Sequence, residues 1–486
     1  MATNKPHVIC VPIPYQGHIN PMFKLAKLLH SRGVYITMVV TEFNVARLAS
    51  SSTVESPFLE GFNDFSIEVI PDGLPPDNKR SVFNLHELCY SFRGIQGEPQ
   101  MAIRSLLMRL LESPDIPPVT SVISDAMMTF VPQVCIELGI PVFHLYTTSA
   151  CGMLGYMQFD ELVKRGDFPL KDESCLTNGY LDTSIEWVPG LIKEARMKHL
   201  PTFLRTTDPN EIIFNYLAEA TRNAKVTAGL ILNTFDDLEG QILKEIEKVI
   251  ANIYTIGPLT KLSQPVNERK LLPLSWSLWK EDNSYLEWLD KRSPKSVIYV
   301  NFGSIAVLTP EQLKEFAWGL ANSKHPFLWV IRSDLVIGES NIITEDCYME
   351  EIKDRGLILS WCLQEKVLQH PSVAVFLTHC GWNSTLESIG EGVPMICWPF
   401  FAEQQMNGLY ACKEWRVGVE MEEGSVQRKE VEGLVRDVME SEKGKELKGK
   451  AMEWKKKAEE ATRPGGSSYN NFDKLVRNLV GKGNHC

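Results

Sequence analysis

Residues 361–404, WCLQEKVLQHPSVAVFLTHCGWNSTLESIGEGVPMICWPFFAEQ, concentrate side chains that bind rather than pack. His379, Asn383 and Ser384 are hydrogen-bond donors gathered around Gly381, where the backbone can approach a ligand closely. They fall between an apolar run and the start of a helical pattern. There the unpaired N–H groups of the first turn and the positive end of the helix dipole make an anion site. Ser304, at the end of another apolar run, could donate to the same anion. Glu387 follows Asn383 by one helical turn, so a carboxylate on that face could accept from sugar hydroxyls. Trp361 offers a flat face to a base. Each feature has a plainer reading: Asn and Ser are the commonest helix caps, Glu387 could be a solvated helix charge, and a lone Trp is usually core. Binding is favoured by convergence, because Ser304, Trp361, Gln364, His379, Asn383, Glu387, Glu403 and Gln404 all fall near strand ends. A base platform, a ribose acceptor, diphosphate donors and polyol partners together make the inventory of a nucleotide-sugar site.

A second constellation lies far upstream. His18 follows the first apolar run and Asp125 ends a later one. A histidine held by a carboxylate is the arrangement of a general base, since the carboxylate fixes the tautomer and stabilises the imidazolium. Spacing alone fits a helix-start His18 and a capping Asp125 at least as well. Other chemistries lack their residues. The chain contains no Asp-x-Asp for a metal-bridged diphosphate and no G-x-G-x-x-G dinucleotide loop. It also has no phosphate loop ending in Gly-Lys-Ser/Thr and no G-x-S-x-G nucleophile turn.

The elements that must position these residues follow from periodicity. A buried strand over residues 7–13, a loop, a helix from about His18 to Gly33 and a strand over 34–40 open a doubly wound sheet. Helical patterns cover residues 84–111, broken near 94–97, and strands are expected at 120–124 and 141–145. Residues 166–208 hold little period. A polar, Pro-containing segment begins at Gly257–Pro258–Leu259 and ends near Trp279, after which the alternation restarts at 297–302. Thr309–Pro310–Glu311–Gln312 reads as a capping box with Pro in the first turn. Strands at 327–331, 357–360, 373–377 and 395–398 follow, and helices close the chain from Gln427. The division is an N-terminal domain at 1–256, a linker at 257–280, a second domain at 281–466 and a last helix at 467–486. In open parallel sheets ligands sit at the carboxyl ends of the strands, where these residues fall.

With 486 residues, 44% apolar and 23% charged, the chain has the length for two cores. A net charge of −11 argues against a nucleic-acid surface. Eleven scattered cysteines with no Cys-x-x-Cys pair point to reduced thiols rather than disulfides or zinc. No apolar run is long enough to span a membrane, and Pro12 and Pro14 interrupt the N-terminal run, so no secretory signal is read there. The expected setting is cytoplasmic.

Residues 361–404 resemble the 44-residue signature of plant family 1 UDP-glycosyltransferases in composition, spacing and length. Pro14–Tyr15–Gln16–Gly17–His18–Ile19–Asn20–Pro21 resembles the family's N-terminal catalytic loop, and the likeness extends over essentially the whole chain. LTNGYLDT, WVPG and IYTIGPL are similar to the subgroup of cyanohydrin, 7-deoxyloganetin, cytokinin and steviol glucosyltransferases. The resemblance implies a GT-B fold, α/β, with two doubly wound Rossmann-like domains facing across a cleft. It also implies an inverting, metal-independent enzyme with UDP-glucose as donor, a small lipophilic acceptor (terpenoid or iridoid-like), no further cofactor and a monomeric chain. On this basis His18 deprotonates the acceptor and Asp125 holds His18. Trp361 stacks on uracil, Gln364 and Glu387 hold the ribose, and His379, Asn383, Ser384 and Ser304 hold the diphosphate. Trp382, Glu403, Gln404 and Thr147 contact the sugar. The last helix crosses back to brace the first domain. Leu363, Glu403 and Tyr146 depart from the family's usual Pro, Asp and Trp. Gln404 is its glucose-type residue. The alternative from another class is a non-catalytic UDP-sugar or metabolite-binding protein on the same fold.

Overall fold

A computed structural model describes residues 5–51, 64–75, 85–93, 97–263, 277–332, 335–336, 345–422, 424 and 426–481. Part of the expected 257–280 linker, the break near 94–97 and the end of the 467–486 segment lie outside the described residues. The chain divides into two compact units, Met1–Leu278 with Glu460–Cys486, and Trp279–Glu459.

The first unit is built on a seven-stranded sheet. Its strands are β1 (His7–Val11), β2 (Tyr35–Thr41), β3 (Phe65–Ile70), β4 (Val119–Asp125), β5 (Val142–Tyr146), β6 (Gly229–Leu232) and β7 (Ile253–Thr255). The order is β3-β2-β1-β4-β5-β6-β7 with every pairing parallel. β1 and β5 are buried along their whole length, as expected for strands covered by helices on both faces. The order runs outward from β1 in one direction and from β4 in the other. Their carboxyl ends therefore form the topological switch point, with His18 just beyond β1 and Asp125 at the end of β4.

The second unit repeats this plan. Its strands are β8 (Val297–Asn301), β9 (Phe327–Val330), β10 (Gly356–Leu359), β11 (Val373–Thr378), β12 (Met395–Cys397) and β13 (Gly418–Glu420). They form a parallel sheet in the order β10-β9-β8-β11-β12-β13. Here the switch point lies between β8 and β11, whose next residues include Gly303–Ser304 and His379–Ser384. Phe302, Phe316, Trp329 and Trp398 pack in the core behind this edge. The expected capping box is present: Gln312 N donates to Thr309 Oγ1 at 3.2 Å and Thr309 N to Gln312 Oε1 at 2.9 Å.

The helix Ser467–Val480 belongs to the first unit and buries Phe472, Leu475 and Leu479. It is fixed by polar bonds as well: Ser468 Oγ donates to Gly257 O at 2.6 Å and Asn471 Nδ2 to Thr255 Oγ1 at 2.7 Å. Ser121 Oγ, on β4, donates to Leu479 O at 3.2 Å.

Candidate active site

In the first unit the helix Gln16–Ser31 begins two residues earlier than periodicity suggests, so His18 sits in its first turn. The His18 Nδ1 is 2.8 Å from Asp125 Oδ2, and the carboxylate is almost wholly buried. An ionised carboxylate only accepts hydrogen bonds, so this contact places the proton on Nδ1 and the lone pair on Nε2. The other carboxylate oxygen accepts from Met127 N at 2.9 Å, which fixes the plane of the group. Thr147 Oγ1 lies 2.8 Å from the same Nδ1. Thr147, expected beside a sugar, is thus in contact with the imidazole.

Behind Thr147 a support is built from residues that the sequence reading did not select. Ser149 caps the helix Ala150–Tyr156 by accepting from Gly152 N at 2.9 Å. The buried Glu239 carboxylate accepts from Ala150 N at 3.0 Å and Cys151 N at 2.8 Å. The first three N–H groups of the helix are therefore paired, two of them by the Glu239 carboxyl oxygens at the positive end of the dipole. Burial raises the pKa of Glu239, and the backbone donors oppose that shift.

His144, beside Ser124 in the sheet register, is fully buried. Neither of its ring nitrogens has a hydrogen-bond partner among the described residues. Burial lowers its pKa to about 4 against the opposing pull of Asp125. Burial likewise takes His7, His199 and His379 to about 4. Each binds a proton more readily when unfolded, so the folded state loses stability as pH falls from about 6.5 toward 4. Each such histidine contributes roughly 1.4 kcal/mol per pH unit inside that window. Denaturant unfolding should give a lower midpoint at pH 5 than at pH 7, and His144→Phe should flatten the difference. An unchanged midpoint would contradict the buried neutral state.

In the second unit three of the expected donor residues, Gln364, Ser384 and Glu387, share one hydrogen-bond network. Gln364 Nε2 donates to Glu387 Oε2 at 2.8 Å and to Ser384 Oγ at 3.0 Å. Its Oε1 accepts from Asn301 Nδ2 at 3.0 Å and Tyr299 Oη at 3.3 Å. Burial holds the Tyr299 phenol well above its ordinary pKa, so it stays a donor. Asn301 Oδ1 accepts from Gly303 N at 2.9 Å, tying the Ser304 loop to the same network. Asn407 Nδ2 donates to Cys380 O at 2.9 Å and holds the loop that carries His379 and Asn383.

His379 is packed between two glycines. A Cβ on Gly303 would lie 2.4 Å from its Nε2, and one on Gly381 would lie 2.5 Å away. Burial, reinforced by the positive charge of Arg332, lowers its pKa to about 4, so it is neutral at pH 7. The backbone is strained nearby: Cys380 and Ala402 have φ of 63° and 58°, uncommon for residues with a Cβ and frequent at functional loops.

Trp361 is half-buried, and Trp279 stacks on one face at 4.5 Å between ring centres with 24° between planes. A base would therefore take the opposite face. The Trp382 ring is 3% exposed and packs against Trp415. It belongs to the core, which leaves the backbone of Trp382 as its means of approach to a ligand. Gln404 Oε1 accepts from Phe400 N at 2.9 Å and Phe401 N at 3.0 Å. That bond shapes the loop and directs its amide nitrogen elsewhere. Glu403 is buried at the start of the same helix. Truncating Trp361 to Ala should weaken UDP binding roughly 5- to 150-fold, since stacking a base on an aromatic ring is worth about 1–3 kcal/mol. Calorimetric titration with UDP checks this, and an unchanged affinity would remove Trp361 from the site.

Asn301, Arg332, Asn407 and Glu239 were not selected from sequence. Two of them carried a usable signal: Asn301 ends the run VIYVN, and Arg332 ends FLWVIR. The strand-end rule that singled out Asp125 applies equally to both. Glu239 and Asn407 lie inside helical patterns and carried no such mark. Among the described residues no group of three or more His, Cys, Asp or Glu is placed to hold a metal ion. No described helix is long and apolar enough to cross a membrane.

Comparison with known proteins agrees with this geometry. The UDP-glucoronosyl and UDP-glucosyl transferase family matches residues 281–453, and the glycosyltransferase N-terminal domain matches residues 4–184. The chain is 50% identical to the 7-deoxyloganetin glucosyltransferase of Gardenia jasminoides over 481 residues, 98% of both chains. It is 47% identical to the (R)-mandelonitrile beta-glucosyltransferase of Prunus dulcis over 480 residues, 98% of this chain and 97% of the other. The crystal structure of Os79 from O. sativa in complex with UDP superposes with a TM-score of 0.81 at 26% identity. That match covers 97% of this chain and 100% of the other. Two Rossmann-like parallel sheets, a histidine–carboxylate pair at one switch point, a polar network at the other and near-complete coverage by such relatives lead to one conclusion: the chain is a GT-B enzyme that belongs to the UDP-glycosyltransferase family.

Proposed function

We propose that the chain is an inverting UDP-glucose-dependent glucosyltransferase that forms a β-O-glucoside on a hydroxyl of a small lipophilic plant metabolite. His18 Nε2 takes the acceptor proton, and the acceptor oxygen attacks the anomeric carbon of an α-linked sugar. The C–O bond to UDP breaks through an oxocarbenium-like state with inversion. Asp125 holds the tautomer and stabilises the imidazolium. Trp361 stacks on uracil, Gln364 and Glu387 take the ribose, and His379, Asn383, Ser384 and Ser304 donate to the diphosphate as neutral groups. Glu403, Gln404, Thr147 and the backbone at Trp382 serve the sugar. No metal takes part.

The observation that carries the catalytic reading is the 2.8 Å contact between His18 Nδ1 and Asp125 Oδ2 at the switch point of the first sheet. A protein that only bound the nucleotide sugar would have no use for a carboxylate-oriented imidazole. Glucose as donor is supported by relatives that are glucosyltransferases; the favoured terpenoid or iridoid-like acceptor follows the 7-deoxyloganetin enzyme, beside a relative that takes (R)-mandelonitrile. A cytoplasmic setting is supported by the described cysteines, all free thiols. The experiment is UDP release from UDP-glucose against a panel of terpenoid, iridoid and cyanohydrin alcohols, with products identified by mass spectrometry. No turnover with any acceptor and any UDP-sugar would sink the proposal.

A further inference from the structure

The residues proposed to meet the diphosphate share a deficit: Ser304, Asn383 and Ser384 are uncharged by nature, and His379 is kept uncharged by its surroundings. Beside the start of the helix Trp382–Glu391, these donors offer a diphosphate partial charges only, against the water it gives up. One cation is built into this edge of the second sheet. Arg332 follows β9 and is 3% exposed. Its Nη1 donates to Gly303 O and its Nη2 to Ala306 O at 2.8 Å, so the guanidinium fork grips both ends of the turn that carries Ser304. The guanidinium carbon lies 5.9 Å from the ring centre of Trp279, which in turn stacks on Trp361. The planar side chain thus joins the loop of the phosphate end to the aromatic pair of the base end.

We propose that Arg332 is the fixed positive charge of the donor site, setting the affinity for the diphosphate over the nucleoside from beneath the Gly303–Ser304 turn. The inference rests on the donor assignment above. A buried charge next to the switch point acts in a low-dielectric setting, where it is worth more than a surface lysine and is less screened by salt. Because the guanidinium is anchored by carbonyls before ligand arrives, no reorganisation is needed on binding. Its role toward the ligand is that of a charge, exerted through a turn it already holds.

The test compares calorimetric affinities for UDP, UMP and uridine in the parent protein, Arg332→Gln and Arg332→Lys. Uridine reports the base and ribose contacts, so the ratio of UDP to uridine affinity isolates the phosphate contribution within each protein. Arg332→Gln is expected to reduce that ratio about tenfold or more, in the range of a lost charge-assisted contact. Arg332→Lys keeps the charge and loses the fork, so both affinities should fall while their ratio stays within about threefold of the parent. An unchanged ratio in Arg332→Gln overturns the proposal, and so does a lysine variant whose ratio falls as far as that of the glutamine one, because bracing rather than charge would then be responsible. If Arg332→Gln is recovered unfolded, Arg332→Lys decides alone, by the same threefold criterion. A parent protein that binds UDP no better than uridine overturns the donor assignment itself.

Discussion

Replacing His18 by alanine should lower glycosyl transfer about 10²- to 10⁴-fold, the usual contribution of a positioned general base, while leaving UDP affinity almost unchanged. The two readouts separate because His18 belongs to the first unit and the residues assigned to the nucleotide belong to the second. Asp125→Asn should act by a different route. The amide can donate to Nδ1, which would move the imidazole proton to Nε2 and remove the lone pair from the nitrogen that must accept. The asparagine variant should therefore lose rate by a comparable factor with its thermal midpoint little changed. A His18→Ala variant whose UDP affinity fell as far as its activity would show that the base assignment is wrong. One that kept most of its rate would place the base elsewhere.

Gly303→Ala should have the largest effect on the donor side. Gly303 has a φ of 73°, a left-handed conformation that alanine adopts only with strain. The added Cβ would also lie 2.4 Å from His379 Nε2 and 2.5 Å from its Cε1. Gly381 also lies close to this ring, since a Cβ there would come 2.5 Å from the same Nε2. Either the Ser304 turn or the His379 ring must shift, and both are assigned to the diphosphate. Strain of about 1–3 kcal/mol corresponds to a loss of UDP affinity of roughly 5- to 150-fold, with transfer falling at least in parallel. Calorimetry with UDP and initial rates at saturating donor check this. A variant that bound UDP normally would mean that neither group touches the phosphates.

Much of this was legible in the chain. Runs such as HVICV, VIYVN and VAVFLT are buried on both faces, so continuous hydrophobicity marked the central strands. The polar residues at their ends then followed from the fold class. Edge strands were harder. β3 is only partly buried, and its FSIEVI sequence alternates within a region that otherwise reads as irregular. β7 and β13 have three residues each, too short for a period. The helices Ala150–Tyr156 and Phe159–Arg165 were missed because the first is buried all round, with Gly152 and Gly155 inside it. At the site, sequence could name His18 and Asp125 but not their contact, since 107 residues separate them. Nor could it tell that the Trp382 ring points into the core. Side-chain direction at a helix start depends on what packs there, here Trp415.

The last helix gives the chain an unusual order of assembly. Ser468, Asn471 and Leu479 bond to Gly257, Thr255 and Ser121, so the first unit needs residues that a ribosome makes after those of the second. The second unit is complete in sequence before that, as an insertion between the two parts of the first. During synthesis the first sheet must therefore wait, with the surface meant for Phe472, Leu475 and Leu479 uncovered, until the helix Ser467–Val480 emerges. Quality control that samples exposed apolar surface would thus read the docking of this helix as a sign that both units have been made.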